Sequence, residues 1–225
     1  MSIRIASLSK RIKGVDTLHD IDLHVPNGYV MGLAGVNGSG KTTLMRAVTG
    51  LIRPTSGTID VDGVRLWRDA SFPPSIGILI ENPAFLDSRT GFDNLRLLAF
   101  VKGGADEDRI RDTLRTVGLD PHDRRKFRTY SLGMKQRLGL AAAVMERPSI
   151  VVLDEPTNAL DADGVSMLKS LVKAEKARGA AMLVSCHDAA ILHELSDEVA
   201  FMENGRITKR ERANAAQSAE SEAGL

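Results

Sequence analysis

The stretch Gly35-Val36-Asn37-Gly38-Ser39-Gly40-Lys41-Thr42-Thr43 decides the fold of this 225-residue chain. An apolar run at residues 29–34 comes before it, and apolar residues with helical spacing follow it at residues 44–51. A buried strand, a glycine-rich loop and a helix in this order are the context that a phosphate-binding loop, or P-loop, requires. The alternative is a glycine-rich turn with an isolated lysine, and the flanking strand and helix argue against it.

The chemistry of this loop follows from its residue types. Glycines let the backbone curl until successive N–H groups point inward and bind phosphate. The positive end of the helix that begins near Lys41 strengthens this field. We expect Lys41 to reach the β- and γ-phosphates of a nucleotide, and the Thr42 hydroxyl to bind Mg²⁺. The residues predicted to hold the phosphates are Gly35, Asn37, Gly38, Ser39, Gly40, Lys41, Thr42 and Thr43.

Composition sets limits on the function. Hydrophobic residues make up 43% of the chain, charged residues 26%, and the formal net charge is +1, which is ordinary for a soluble globular protein. This balance predicts no nucleic-acid partner, and we interpret the basic run at residues 124–126 as a solvated face. Cys186 is the only cysteine, which excludes an internal disulfide and a cysteine-based zinc site and fits a reducing compartment.

We expect a cytoplasmic protein that is soluble or peripheral to a membrane. The first residues are too short and too mixed a segment for a signal peptide. Apolar runs fall short of the roughly 20 residues that a membrane-spanning helix needs.

Periodicity along the chain predicts an α/β fold. Alternating apolar residues at 3–8, 21–25 and 59–61 indicate strands with one solvated face. A short strand is expected at 75–80, before Glu81, and we expect it to run beside the P-loop strand. The continuous apolar runs at 150–153 and 181–185 indicate buried parallel strands. Residues 82–147 have only helical periodicity. We therefore predict a P-loop core with a parallel sheet, an antiparallel β-subdomain and an inserted helical subdomain at 82–147, all within a domain at residues 1–212. Residues 213–225 are expected to form a frayed tail.

A second chemical signal follows the apolar run at 150–153. Two adjacent carboxylates, Asp154 and Glu155, come at the end of this strand, which is where α/β sheets bind ligands. Asp154 suits Mg²⁺ binding, and Glu155 suits polarising a water molecule in line with the γ-phosphate. The alternative is an acidic turn after a core strand, and the P-loop makes it less favourable.

At this point the sequence resembles the nucleotide-binding domain of ATP-binding-cassette (ABC) transporters. The segment Tyr130-Ser131-Leu132-Gly133-Met134-Lys135-Gln136-Arg137 is similar to the signature motif of that family. Residues 158–161 resemble its D-loop, and His187 resembles its switch histidine. Together with the P-loop and the Asp-Glu strand, these make five motifs in the family's order, and the resemblance spans residues 3–208.

The resemblance implies roles for four further residues. The helix end at Ser131 and Gly133 would bind the γ-phosphate held by an opposite subunit, which implies a head-to-tail homodimer around two ATP molecules. His187 would contact the γ-phosphate and the attacking water, and Asp161 would position the facing P-loop. The alternatives are a helix N-cap at Ser131, a surface residue at His187, and an N-cap at Asp161 that is compatible with its functional role. The remaining histidines are expected to be structural or solvated; they are His19, His24, His122 and His193.

Two residues depart from the family pattern. Ile12 stands where an aromatic residue usually stacks on adenine, which places base selectivity in question. Glu81 stands where the family usually has a glutamine that senses Mg²⁺ and the permease, and it is predicted as a metal-binding residue. The alternative for Glu81 is a solvated residue at a strand end. The segment around Glu81 and the signature both resemble the branch that exports bacitracin and lantibiotics.

The resemblance therefore implies a Mg²⁺-dependent ATPase subunit with Glu155, His187 and Lys41 as catalytic residues. It would power a separate membrane permease and export a drug or antimicrobial peptide, lying on the inner face of the membrane through that permease. The main alternative is a soluble ABC ATPase without a permease, such as a cluster-assembly factor. A weaker alternative is a regulatory nucleotide-binding module with little turnover, and Glu155 argues against it.

Overall fold

The computed structural model describes residues 2–102 and 104–213. Its strands follow the periodicity of the sequence. The strands are β1 (Ser2–Ile12), β2 (Val15–Pro26), β3 (Val30–Ala34), β4 (Ser56–Val61), β5 (Val64–Arg65), β6 (Ile76–Leu79), β7 (Ile150–Leu153), β8 (Ala181–Ser185), β9 (Glu198–Glu203) and β10 (Arg206–Arg212).

Six α-helices and one 3₁₀ turn complete the described part of the chain. The helices are α1 (Lys41–Val48), α2 (Gly91–Lys102), α3 (Glu107–Thr116), α4 (Leu132–Val144), α5 (Ala162–Ala177) and α6 (Ala189–Leu195), and the 3₁₀ turn is Phe127–Thr129. The helix α6 was not predicted, because its seven residues are too few to establish an amphipathic period.

The central sheet has the strand order β10-β9-β3-β8-β7-β6. All neighbours in it are parallel except the edge strand β10, which is antiparallel to β9. The P-loop strand β3 and the Asp-Glu strand β7 both pair with β8, which therefore lies between them. Since the carboxyl ends of parallel strands meet at one edge, β8 delivers its last residues between the two predicted motifs.

A second sheet has the order β2-β1-β4-β5 and is antiparallel, as predicted. It packs with α1 against one face of the central sheet, while α4, α5 and α6 pack on the other face. The central strand β7 serves both cores: Ile150 and Val152 point toward α1, and Val151 and Leu153 point toward α4. This explains why its apolar run is continuous rather than alternating.

The region between β6 and β7 is helical, as predicted for residues 82–147. Buried Ile110 and Leu114 of α3 pack with buried Leu95 of α2 and with α4. Of the predicted tail at 213–225, only Ala213 is described; it is buried, and its N–H donates to Asp197 O at 3.0 Å. Residues 214–225 lie outside the described residues. Among the helices that are described, none has the length and apolarity needed to cross a bilayer.

One expectation about topology is wrong. We expected the strand before Glu81 to run beside the P-loop strand, but β6 is the edge strand next to β7, and both β7 and β8 separate it from β3. Strand order among strands far apart in sequence depends on tertiary packing, which local periodicity does not contain.

The contact of α4 with β6 generates a stability prediction. A Cβ added at Gly77 of β6 would lie 1.7 Å from the backbone oxygen of Ala143, which is overlap with a helix that cannot move aside cheaply. We expect Gly77→Ala to lower the free energy of unfolding by about 1–3 kcal/mol or more, as overpacking does. Urea denaturation measures this change, and an unaltered midpoint would contradict the close seating of α4 on β6.

Candidate active site

A cavity of about 490 Å³ lies where β3, β8 and β7 end. It contains most of the predicted site residues. Those that line it are Asn37, Gly38, Ser39, Gly40, Lys41, Thr42 and Thr43 from the P-loop, Asp154 and Glu155 after β7, and His187 after β8. The sheet topology, rather than sequence proximity, brings these three groups together.

The P-loop has the backbone that phosphate binding needs. Gly40 is the N-cap of α1 with φ 107°, a left-handed conformation that L side chains rarely adopt. Having no side chain, Gly40 leaves the first N–H groups of α1 free to face the cavity. Gly35, at φ 149°, has no room for a Cβ, which would lie 2.3 Å from Met202 O. The loop therefore combines strained glycines with the positive end of a helix, which together favour an anion.

Lys41 is the cation of this loop. Its side chain is folded into the loop, where Nζ donates to Gly35 O at 2.6 Å and to Val36 O at 3.3 Å. The residue is buried to 7% exposure. A buried ammonium held by neutral carbonyls gains by exchanging them for a charged acceptor, because charge-assisted hydrogen bonds are the stronger ones.

A chain of hydrogen bonds connects the P-loop to the end of β7. Thr42 Oγ1 donates to Asp154 Oδ2 at 2.7 Å, and Ser185 Oγ donates to Asp154 Oδ1 at 2.6 Å. Asp154 is only 6% exposed, so these two donors compensate for the burial of its charge. Ser185 belongs to no predicted motif, and nothing in the sequence pattern distinguishes it from the other residues of β8.

Glu155 faces the cavity from a left-handed backbone conformation, at φ 50°. Its backbone N–H donates to Ser185 Oγ at 2.9 Å, and its side-chain Oε2 accepts from the backbone N–H of His187 at 2.9 Å. Oε1 is buried without a hydrogen-bond partner in the part of the chain that the structure describes, and it lies 3.6 Å from His187 Nε2. A carboxylate that is fixed through one oxygen and has no hydrogen-bond partner on the other is the arrangement that a general base requires.

The wall opposite the carboxylates comes from the β1–β2 hairpin. Val15, Asp16, Thr17 and His19 line the cavity there, and no motif marks them. His19, which was expected to be structural or solvated, is thus one of the residues beside the cavity. Ile12 does not line the cavity, but it is paired directly with Val15 across the hairpin. Opposite residues of an antiparallel pair share one face, so Ile12 lies beside the wall without reaching it.

The signature residues lie away from this cavity. Ser131 caps α4 by accepting from Met134 N–H at 3.2 Å, and it is exposed, so the N-cap role is present. Asp161 likewise caps α5 by accepting from Gly164 N–H at 2.8 Å. That bond, and then the nearby Arg137 guanidinium, lower the pKa of Asp161. Neither Ser131, Gly133 nor Asp161 contributes to the cavity of its own chain.

The signature helix is tied to the loop that follows Glu155. Gln136 Nε2 donates to Pro156 O at 3.1 Å, and Arg137 donates to Asp161 Oδ1 at 3.2 Å and to Val117 O at 2.9 Å. Gly133 lies close to this loop, since an added Cβ would be 2.9 Å from Ala159 O. These contacts hold Ser131, Gly133 and Asp161 on one surface.

Glu81 also lies outside the cavity. Its carboxylate pairs with Arg46 of α1, and it lines a separate groove of about 400 Å³ together with Leu51, Pro83 and Leu98. The residue adopts φ 60° and its side chain is 63% exposed. The structure therefore does not bring the Glu81 carboxylate to Thr42 and Asp154: although β6 ends beside β7, this carboxylate turns to Arg46 and does not line the cavity.

Thr42 and Asp154 fit a Mg²⁺ ion. The described residues contain no group of three or more histidine, cysteine, aspartate or glutamate side chains that could hold a metal ion by themselves. A hydroxyl and one carboxylate beside a phosphate-binding loop nevertheless match what Mg²⁺ uses, because it keeps several waters and takes its other ligands from substrate phosphates.

Comparison with known proteins agrees with the family that the motifs resemble. A family model described as ABC transporter matches residues 18–158. The chain is 41% identical to the uncharacterized ABC transporter ATP-binding protein YybJ of Bacillus subtilis, over 93% of this chain and 96% of that protein. It is 37% identical to the bacitracin transport ATP-binding protein BcrA of Enterococcus faecalis, over 92% of this chain and 68% of that protein.

Two further matches extend this result. The lantibiotic transport ATP-binding protein SrtF of Streptococcus pyogenes is 35% identical, over 91% of this chain and 88% of that protein. A solved structure of the ATP-binding subunit of an ABC transporter superposes with a TM-score of 0.88 at 26% identity, over 100% of this chain and 95% of that one. The predicted fold class is confirmed.

Proposed function

The chain belongs to the ABC transporter family, and we propose that it binds and hydrolyses ATP to power a separate membrane permease. The resemblance that the motifs indicated is confirmed, including its relation to bacitracin and lantibiotic transport proteins. The observation that carries the proposal is the convergence of Lys41, Thr42, Asp154, Glu155 and His187 on one cavity.

In this proposal the loop residues hold the phosphates of ATP. The amides from Gly38 to Thr43 and the Lys41 ammonium replace water around the β- and γ-phosphates. Thr42 and Asp154 would hold Mg²⁺, which neutralises charge between the β- and γ-phosphates when bound. Because the loop is already curled and the lysine already inside it, little reorganisation is needed for binding.

Glu155 is the proposed general base. Its free Oε1 accepts a proton from water as that water attacks the γ-phosphate in line. The backbone N–H of His187 keeps the carboxylate oriented through Oε2, and the imidazole, which is 57% exposed, would contact the γ-phosphate and the water. The charge that develops in the transition state is met by Lys41 and the loop amides.

A head-to-tail homodimer completes the proposed site. Ser131 and Gly133 lie on an exposed helix N-terminus away from the cavity of their own chain, and that helix end favours an anion. An isologous dimer with two-fold symmetry would place each signature over the nucleotide of the other subunit. Asp161, fixed on the same surface by Arg137, would then face the partner's P-loop.

The permease would bind at the groove beside Glu81. Exposed apolar side chains continue from the groove along α2: Leu97 is 47% exposed, Phe100 84% and Val101 76%. An apolar stripe of this kind is typical of a surface that a partner covers. This stripe favours a permease-bound subunit, located at the cytoplasmic face of the membrane, over a soluble ABC ATPase such as a cluster-assembly factor.

The transported compound is proposed from the relatives. BcrA and SrtF are named for bacitracin and lantibiotic transport. We therefore propose that this subunit powers export of a drug or antimicrobial peptide. Deletion of the gene should sensitise the cell to such a compound, and growth inhibition across a panel of peptide antibiotics measures this.

The role of Glu155 gives the first functional prediction. Glu155→Gln removes the basic oxygen but keeps the shape, so ATP hydrolysis should fall by about 10²–10⁴-fold, the usual contribution of general base catalysis. ATP binding should survive, and gel filtration with ATP should detect a stabilised dimer. Lys41→Ala is the control, because it should lose both binding and hydrolysis. Turnover of Glu155→Gln within threefold of wild type would remove Glu155 from this role.

The hairpin wall gives a prediction for base selectivity. Because Ile12 shares a face with Val15, a tyrosine at position 12 should extend over the cavity and stack on adenine. Even 1.4 kcal/mol of the roughly 1–3 kcal/mol that stacking supplies would tighten the ATP Kd about tenfold for Ile12→Tyr. Titrations with ATP and GTP measure this. Unchanged affinity would mean that Val15 already covers the base or that the base lies elsewhere.

The groove gives a prediction for coupling to the permease. Glu81→Ala removes the pairing with Arg46 and should abolish permease-stimulated hydrolysis while ATP binding in the free subunit remains. Glu81→Gln is the matched control and should be mild, since its amide oxygen still accepts from Arg46. ATPase assays with and without the permease in vesicles measure the stimulation; full stimulation of Glu81→Ala would show that Glu81 is simply a solvated residue.

A further inference from the structure

Ser185 lies at the centre of the hydrogen bonds that hold both carboxylates. It is the last residue of β8 and is 0% exposed. The register pairs Leu153 with Val184, so the next residues of the two strands, Asp154 and Ser185, lie level with each other. On its other side β8 pairs Ser185 with Leu33 of the P-loop strand.

The direction of each bond at this hydroxyl is fixed. A serine hydroxyl has one proton to donate and can accept at its lone pairs. The Glu155 backbone N–H, at 2.9 Å, can only donate, so Ser185 Oγ accepts from it. The Ser185 proton is then available for Asp154 Oδ1 at 2.6 Å, a carboxylate oxygen that can only accept. Asp154 thus orients the hydroxyl, and the hydroxyl anchors the backbone of Glu155.

That anchor acts where the backbone is strained. Glu155 adopts φ 50°, which is unfavourable for a residue with a side chain and persists only where its surroundings hold it. This backbone conformation directs the Glu155 carboxylate into the cavity, where the backbone N–H of His187 donates to Oε2. Two residues at and just after the end of β8 therefore bind Glu155: Ser185 binds its backbone, and His187 binds its carboxylate.

We propose that Ser185 is a positioning residue that fixes Glu155, and through it the attacking water, in the reactive geometry. This inference rests on the proposed role of Glu155 as base. Ser185 itself does not line the cavity, so it touches neither nucleotide nor water and acts only through its neighbours. A displacement of about 1 Å in a catalytic group can cost on the order of 10²-fold in rate.

The test replaces the hydroxyl while keeping the fold. We expect Ser185→Ala to lower kcat by about 10- to 100-fold, since the Glu155 N–H loses its acceptor. The Kd for ATP measured without Mg²⁺ should change by less than about twofold, because Lys41 and the loop amides are untouched. Ser185→Thr, which keeps the hydroxyl, should recover most of the rate, whereas Ser185→Val, which has the shape of that threonine but no hydroxyl, should not.

Ser196→Ala is the matched control. Its hydroxyl is also buried, and it has no hydrogen-bond partner among residues 2–102 and 104–213. It should leave kcat unchanged, and thermal melting should show that every variant is folded. Equal rates for Ser185→Thr and Ser185→Val would overturn the proposal, because the hydroxyl would then be irrelevant.

A double variant separates positioning from a general structural role. If Ser185 acts through Glu155, then Ser185→Ala should lower the residual rate of Glu155→Gln by less than about twofold, since the group it positions is already disabled. Loss of the same factor in both backgrounds would overturn the proposal. A fully active Glu155→Gln would instead reject the proposed base itself. An inactive Glu155→Gln beside a fully active Ser185→Ala would reject the positioning role alone.

Discussion

The site depends on the parallel register of β3, β8 and β7. These three strands end at one edge of the sheet, and each end carries one part of the chemistry: the P-loop, Ser185 with His187, and Asp154 with Glu155. The strands are buried on both faces, so a one-residue slip would move apolar side chains between the two cores and separate Asp154 from Ser185. Packing of the sheet therefore sets the geometry of the site.

Positive and negative groups both lie at this edge of the sheet. The P-loop presents the positive end of α1 and the Lys41 ammonium, while Asp154 and Glu155 face them across the cavity. The two buried charged residues, Lys41 and Asp154, each have local partners: carbonyls of the loop hold Lys41, and two hydroxyls hold Asp154. These bonds lower the cost of burial but remain weaker than contacts with a phosphate, so the site is stable and still favours an anionic ligand.

The sequence predicts the individual strands and motifs of the site better than it predicts which of them lie next to each other in the fold. The glycine loop and the continuous run before Asp154 have strong local patterns, so the P-loop and the Asp-Glu strand were found directly. The position of β6 at the edge of the sheet could not be predicted, because strand order is decided by packing between segments that are distant in sequence. Ser185, Val15 and His19 have no motif that identifies them, because their contacts with the site join segments far apart in sequence, such as the Ser185 bond to Asp154, 31 residues apart. A residue without a motif becomes functional only through the fold that surrounds it.

The helix α1 joins the cavity to the groove at Glu81. Thr42 and Arg46 are four residues apart on this helix and therefore lie on one face, about one turn from each other. Thr42 bonds Asp154 in the cavity, and Arg46 pairs with Glu81 in the groove. A half-exposed ion pair contributes little to stability, so the importance of this pair is geometric. Because both residues belong to one short helix, their separation is fixed, and α1 sets the position of the Glu81 side of the groove relative to the cavity.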